Sequence, residues 1–538
     1  MRFNEATPLY DVIVVGYGPV GQVLTNLLAR DGHRVAVIER RPELYPRPRA
    51  AHFDHEIHRT LDRLGVVAEL GEDVVGMRSY EWRGADGELI LDLDVGTLAA
   101  SGHVFSHLFY QPSLERALHE RALRAPSVDL LRGWETISVA ESDEMVTVTA
   151  ERTRPLGTGE LELTGERTEL RGRFVVGADG ANSRVRALSG IGEDDLGFSE
   201  HWLVVDVGFP DPGLAERLFT QLGDSCQWCD PRRPHMSVRV GRFRRRWEFM
   251  LLPGEDPAEF ATDDAVWRML EPWAGPADAV LERHVVYRFS SSLAKQMRMG
   301  RMLLVGDAAH VMPPFMGQGL CSGLRDAANL SWKLDLVLRG ISDDSLLDTL
   351  TEERYEQNLR TIEVSMRMGQ VSCTLDPAAA RERDEAFRTG RTPPPEPMPG
   401  LRGGIRHRPA GTDSDPLAGS LAVQGLIGGD GRHGLADAVV GDGFCLITRH
   451  GADLGAVGEL GIRMLCLDPD HPDGYTDLDG RLTAWLDETG SEAVLVRPDF
   501  YVFGRASTAA DTPALLADLR DQLLTGRNSP VATPMEAR

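Results

Sequence analysis

The segment Asp11–Val15 is apolar after its first residue and stops at Gly16; from Gln22 to Arg30 the apolar positions recur at helical spacing. A second run, Arg34-Val35-Ala36-Val37-Ile38-Glu39, is apolar and rich in branched side chains. Strand, glycine turn, helix and strand in under 30 residues predict one βαβ unit. Two later runs end on glycine in the same way: Arg173–Gly177 leads into Ala178-Asp179-Gly180, and Met302–Val305 leads into Gly306-Asp307. Elsewhere the period changes to two, as in Val204-Val205-Asp206-Val207 and Trp247-Glu248-Phe249-Met250-Leu251. This predicts a mostly antiparallel sheet over 76–105 and 195–299. Helical spacing returns at Ala327, Leu330, Leu334 and Val337, within Asp326–Arg339, and helix signals continue to about Ala386. Residues 390–404, with Pro393, Pro394, Pro395 and Pro397, break regular structure and read as a linker. The remainder, 405–538, reads as a final module of short strands closed by a helix, Ala514–Leu523.

Composition narrows the class. In 538 residues, 42% are hydrophobic and 26% charged, the balance of a globular protein. The net charge of −24 repels phosphate backbones and anionic lipid, which argues against a nucleic-acid or membrane-surface binder. No apolar run approaches the roughly 18 residues of a membrane span. The first run, Val12 to Val15, is too short for a signal-peptide core, so the expected location is the cytoplasm. Six cysteines are too few for a disulfide framework in a chain of this length.

The chemistry begins at Gly16-x-Gly18-x-x-Gly21, with Glu39 eighteen residues after the last glycine. The first glycine permits the tight turn, the second lets backbone approach a pyrophosphate, and the third allows close helix packing. The helix N-terminus attracts the phosphate charge, and a carboxylate at Glu39 suits ribose hydroxyls. Between a strand and a helix, with an acid at this offset, the pattern is a dinucleotide fingerprint. It does not choose between FAD and NAD.

Two further segments do choose. Gly177-Ala178-Asp179-Gly180-Ala181-Asn182-Ser183-x-x-Arg186 and Gly306-Asp307-Ala308-Ala309-His310-x-x-Pro313-Pro314-x-x-Gly317-Gln318-Gly319 both follow short strands. With them the chain resembles the single-component FAD-dependent aromatic hydroxylases, in their phenol-hydroxylase branch. Arg49-Ala50-Ala51-His52-Phe53-Asp54, Arg244–Leu251 and Gly319–Leu330 resemble the 3-(3-hydroxyphenyl)propionate hydroxylases in particular. The resemblance implies that Asp307 binds the ribityl chain and that Asp179 serves both FAD and NAD(P)H. It places Pro313 and Pro314 beside the flavin ring, with the backbone of Pro314 counted as catalytic. Gly317 and Gly319 then offer amides to the flavin, and Arg49 and Gln111 reach the cofactor. Arg40, next to Glu39, is grouped with these cofactor contacts.

The implied fold is α/β. A Rossmann-like FAD-binding domain (1–75, 106–194 and 300–345) is interleaved with a mostly antiparallel substrate domain (76–105 and 195–299). A helical segment (346–389), the linker and a thioredoxin-like C-terminal domain (405–538) follow. The implied activity is ring hydroxylation ortho to a phenol hydroxyl. It uses tightly bound, non-covalent FAD, NADH or NADPH as co-substrate, and O2. The expected substrate is 3-(3-hydroxyphenyl)propionate or 3-hydroxycinnamate, in aromatic catabolism. The alternative is a polycyclic aromatic polyketide antibiotic precursor. Expected partners are the small phenol and O2, without nucleic acid or membrane; a homo-oligomer is left open.

His52 and Asp54 follow the flavin loop and are the candidates for orienting a phenol or its proton; the competing reading is loop or helix-cap work. Cys226-Gln227-Trp228-Cys229 is followed at once by Asp230-Pro231, which demands a turn where a redox motif needs a helix, so the pair reads as structural. No metal ligand set is evident. Arg242, Arg244, Arg245 and Arg246 read as one charged strand face, with guidance of an anionic substrate as the other possibility. His310 is expected to make a local hydrogen bond.

Overall fold

The computed structural model describes residues 9–156, 160–392, 396–409, 415–429 and 431–524. Pro393–Pro395, the centre of the expected linker, lie outside them. The chain divides into one unit of Met1–Ala327 with Gln357–Pro399 and a second of Ala328–Glu356 with Gly400–Arg538.

In the first unit, strand β1 (Leu9–Val15), helix α1 (Pro19–Arg30) and strand β2 (Val35–Glu39) form the expected βαβ unit. β1 pairs in parallel with β2 on one side and with the strand Leu161–Gly177 on the other. That strand pairs in parallel with Met302–Leu304. The register sets Val15 beside Gly177 and Gly177 beside Leu304, so the glycine corners after all three strands emerge at one sheet edge. Val12, Ile13, Val14, Val35, Ala36 and Val37 are fully buried, which explains why these strands read as continuous apolar runs. Between β2 and Leu161–Gly177 the chain also builds the strands Val128–Arg132, Trp134–Glu141 and Val146–Pro155.

The second sheet has eight strands, in the order His310–Val311, Val280–Ala294, Glu193–Gly208, Arg244–Met250, His235–Val240, Ser225–Trp228, Ser79–Arg83 and Leu89–Asp94. All its pairings are antiparallel except Ser225–Trp228 with Ser79–Arg83. One face carries Leu203, Val205, Val207, Trp247 and Phe249 into a core closed by the helices Pro212–Leu222 and Asp263–Leu270. The other face is buried as well: Asp206 and Glu248 are only 1% and 6% exposed. A three-stranded sheet places Ser106–Phe109 between β3 (His52–Asp54) and Val74–Gly76, and α2 (His55–Arg63) follows β3 directly.

In the second unit four strands are ordered Arg463–Cys466, Cys445–Thr448, Ala493–Val496, Val502–Ala506; the first pair is parallel and the others antiparallel. Residues 328–356 join this unit because Glu353 pairs with Arg497 and Lys333, each at 2.7 Å, and all three side chains are fully buried. Burial opposes the charge on Glu353, but Arg497 and Lys333 outweigh it and hold the carboxyl down at about 2. Cys445 and Cys466 are unbridged. Among the described residues no helix is long and apolar enough to cross a membrane.

Candidate active site

At the end of β1, Gly16 has φ +99°, and a Cβ there would strike the carbonyl of Ala178. A Cβ on Gly21 would strike the carbonyl of Gly16, so α1 seats directly on the turn. A Cβ on Gly18 would meet nothing within 4 Å, and Gly18 caps α1 without a side-chain bond. The turn therefore presents open backbone and uncommitted helix N–H groups on one side. The Glu39 carboxylate is held at the end of β2 by the N–H groups of Tyr17 (2.9 Å) and Arg41 (2.8 Å). Arg40 is exposed, and its carbonyl accepts from Thr153 Oγ1 at 2.6 Å.

The Ala178 N–H donates to the Val15 carbonyl at 2.7 Å, locking the second corner to the first. Asp179 then caps the helix Arg184–Ser189, accepting from the N–H groups of Arg184 (2.7 Å) and Val185 (3.1 Å) and from the Ser183 hydroxyl. The third corner is tied by Asp326, which accepts from Gly306 N–H (2.9 Å) and meets His310 Nε2 at 2.6 Å. Asp307 is solvent-accessible yet deep among protein atoms, and this burial pushes its pKa up.

The helix Gln318–Leu338 starts just after Gly317, which has φ +63°. A Cβ on its Gly323 would lie 3.0 Å from Gly306 Cα, so the proline–glycine turn belongs with the third corner. The Pro314 carbonyl accepts from Gly317 N–H at 2.8 Å, and the Pro313 carbonyl accepts from Ser365 at 2.8 Å. A Cβ on Gly319 would pack 3.7 Å from Met312. His52 Nδ1 lies 3.3 Å from the Gly317 carbonyl. Burial lowers the His52 pKa, against the opposing pull of Asp54 and the Gly317 bond, so the ring is neutral near pH 7. Bonding to a carbonyl requires the proton on Nδ1 and leaves a lone pair on Nε2.

Asp54 is committed differently. It caps α2 through the N–H groups of Glu56 and Ile57, accepts from Gln318 Nε2 at 3.1 Å and pairs with Arg325. Arg325 also donates to Glu56 (2.7 Å) and to Gln318 Oε1 (2.9 Å). Burial opposes the charge on Asp54, but Arg325 and its neighbours outweigh it and hold the carboxyl far below the usual range. Asp54 is a fixed anion that orients Gln318.

The arginine loop is buckled from both sides. Gln111 Oε1 accepts from the N–H groups of Arg49 (3.1 Å) and Ala50 (2.6 Å), and its NH2 donates to Glu115 (2.6 Å). Both ends of the Gln111 amide are thus engaged inside the protein. The Arg49 guanidinium is exposed and lies 4.6 Å over the Tyr45 ring. Arg246 and Arg283 donate to the Pro48 carbonyl, Arg246 also to that of Arg49, and Asp206 neutralises both. The expected charged strand face at 242–246 is corrected here. Arg245 and Arg246 are 0% and 4% exposed, and Arg245 is consumed by Ser237, Gly223 and Leu222. Cys226 and Cys229 are buried and unbridged, and burial pushes the Cys226 thiol to about 12, so neither is a ready thiolate.

Residues 9–365 match the family described as FAD binding domain, and 419–522 match the HcaD C-terminal domain. A probable NADH-specific resorcinol 4-hydroxylase of Rhodococcus jostii (strain RHA1) is 36% identical across 95% of this chain and 94% of its own. A 3-(3-hydroxy-phenyl)propionate/3-hydroxycinnamic acid hydroxylase of Mycobacterium sp. (strain JLS) is 31% identical across 92% and 89%. The chain belongs to the FAD-dependent aromatic hydroxylases. Its fold matches that of the flavin-dependent monooxygenase PieE, solved with FAD and substrate (TM-score 0.77, 20% identity, 96% of this chain and 99% of that one). It also matches aklavinone-11 hydroxylase, solved with FAD and aklavinone (TM-score 0.74, 25% identity, 96% and 100%).

The residues of this hydroxylase fit FAD. The open side of Gly18, the uncapped α1 N-terminus and the accessible Asp307 supply phosphate and hydroxyl partners at one sheet edge. Sequence reasoning gave no role to Asp206, Arg283, Arg325 and Asp326 and read Arg246 as part of a charged face; together they hold the Pro48–Arg49 loop, the Gln318 end of the turn and the third corner. The motif Arg325-Asp326 was visible, but its partners lie far away in the chain.

Proposed function

We propose that this hydroxylase inserts one oxygen atom of O2 into a small phenol, ortho to an existing hydroxyl, at the expense of NADH or NADPH. When bound, FAD supplies the redox chemistry, taking up hydride and activating O2. The chain supplies the rest. Gly16, Gly18, Gly21, Glu39 and Asp307 bind the cofactor, and Asp179 and Gln111 position the corner and loop around it. The Pro313–Gly319 turn, pinned by His52, Ser365 and the Asp54–Gln318–Arg325 network, fixes the edge at which the ring reacts. Neutral His52, with a lone pair on Nε2, is the proposed acceptor of the phenol proton, because a phenolate is the better nucleophile. The observation that carries this reading is the convergence of three glycine corners at one sheet edge, with the Gly317 turn packed on the third.

Two substrate types satisfy this chemistry. The propionate and cinnamate side chains of the first bring a carboxylate; resorcinol, the second, brings only hydroxyls, and its position 4 is also ortho to one of them. The arginines in 242–246 favour the second. Arg242 pairs with Glu72, Arg244 with Glu282, Arg245 with backbone and Ser237, and Arg246 with Asp206, so each is already partnered inside the protein. The 36% relative, named NADH-specific, supports NADH as the reductant. Competing resorcinol and 3-(3-hydroxyphenyl)propionate for the same enzyme tests the choice. A higher kcat/KM for resorcinol supports the neutral-phenol reading, and a higher value for the acid overturns it. For the terminal module, its strand order supports the thioredoxin-like reading.

A further inference from the structure

The sequence offers no metal ligand set because the ligands come from different segments. His58 and Asp62 stand four residues apart on α2, the spacing that puts two side chains on one helical face. The loop before the strand Ser106–Phe109 brings His103 against them. One ligand atom from each of the three residues lies within 4.8 Å of the other two. The His58 and His103 rings are nearly parallel, 13° apart with centroids at 4.0 Å, and His103 Nε2 is 3.9 Å from Asp62 Oδ2.

The arrangement is supported from behind. His58 Nδ1 sits 2.9 Å from Nε2 of His107, on the neighbouring strand. A proton donated from His58 Nδ1 to His107 leaves His58 Nε2 as the lone-pair nitrogen, the way an outer partner fixes the tautomer of a metal-binding histidine. The loop carrying His103 is clamped to the start of α2, because the Ser101 hydroxyl donates to the His55 carbonyl (2.8 Å) and meets the His55 ring (3.1 Å). Within the loop, Ala99 N–H donates to the His103 carbonyl at 2.9 Å. Asp62 is about half exposed, which leaves a route for an ion.

We infer that His58, Asp62 and His103 form a binding site for one divalent transition-metal cation. Two imidazoles and one carboxylate suit zinc, cobalt(II) or nickel and disfavour magnesium and calcium, which prefer all-oxygen shells. The site lies on α2, whose N-cap, Asp54, accepts from Gln318, so a bound ion braces the helix to which the Gly317 turn is tied.

The test uses the FAD-loaded full chain, stripped of metal by chelator and titrated with cobalt(II) alone. The expected result is one cobalt per chain, with ligand-field absorption at wavelengths beyond the flavin bands and displacement by zinc. Asp62→Asn, at a half-exposed position, and His103→Gln should each abolish that absorption while flavin content stays unchanged. His107→Phe should weaken binding about 10–100-fold, as loss of an outer partner does. Absence of cobalt binding to the wild type overturns the inference. So does cobalt binding that Asp62→Asn and His103→Gln leave intact.

Discussion

The Nδ1 atom of His52 lies 3.3 Å from the carbonyl oxygen of Gly317, joining residues 265 positions apart. The contact defines which ring nitrogen keeps its proton and which can accept one. Burial lowers the pKa from its ordinary 6.5, so the accepting form is populated at and below neutrality and is lost only in more acid solution. The wild-type acid limb of kcat should therefore fall below pH 6.5. His52→Gln should lose about 100-fold or more in turnover, the scale of a general base, and should lack that limb. A variant with wild-type turnover and an unchanged pH profile contradicts the assignment.

The same contact restricts Gly317. Its φ of +63° is unfavourable for an L side chain, and a Cβ would lie 2.9 Å from His52 Nδ1. Gly317→Ala should distort the turn at a cost of about 1–3 kcal/mol. Weaker FAD retention and a larger share of NADH oxidation ending as H2O2 are expected, read by flavin release and peroxide assay. Adding His52→Ala should recover part of the FAD affinity by clearing the crowding, while the backbone strain persists.

Arg325 is 5% exposed and serves Asp54, Glu56 and Gln318 together. Arg325→Met leaves two buried carboxylates without their cation, which typically costs about 3–5 kcal/mol. Thermal unfolding should show a clear drop in Tm. In Asp54→Asn, which keeps an oxygen for the α2 cap, the drop should be smaller.

These networks show where sequence reasoning reaches and where it stops. The corner at Gly16 was legible because backbone geometry and phosphate chemistry demand particular residues at short spacing; those at Asp179 and Asp307 were legible through the resemblance to the aromatic hydroxylases. The alternation at Val204–Val207 correctly marked a strand. It did not reveal the surroundings of Asp206, because period two says which residues share a face but not what covers that face. Here the cover is the Pro48–Ala50 loop, held through Arg246 and Arg283, so charged residues that looked solvated are buried. His103 could not be linked to His58 for the same reason: the loop clamp at Ser101 is a tertiary fact.

Glu115 gives a test by pH. It is buried, and its carboxyl is pushed up from 4.5 to about 7, chiefly by desolvation, although Gln111 opposes this. The folded state therefore holds this proton more tightly than the unfolded chain. Its contribution to stability is complete below pH 4.5 and is lost as pH rises through 7. Glu115→Gln removes that loss, so its Tm relative to wild type should climb between these values. A difference that stays flat with pH contradicts the neutral, buried acid.

The central claim is that this chain holds FAD at the convergent glycine corners and uses it to oxygenate a small phenol. Its most direct measurement supplies the purified, FAD-reconstituted protein with NADH, isotopically heavy O2 and, in turn, resorcinol, 3-(3-hydroxyphenyl)propionate and 3-hydroxycinnamate, and weighs the products. The account predicts one heavy oxygen atom per product, placed ortho to a hydroxyl, with NADH consumed in step. Folded protein that takes up no FAD, or products from all three phenols that carry no heavy oxygen, would contradict it.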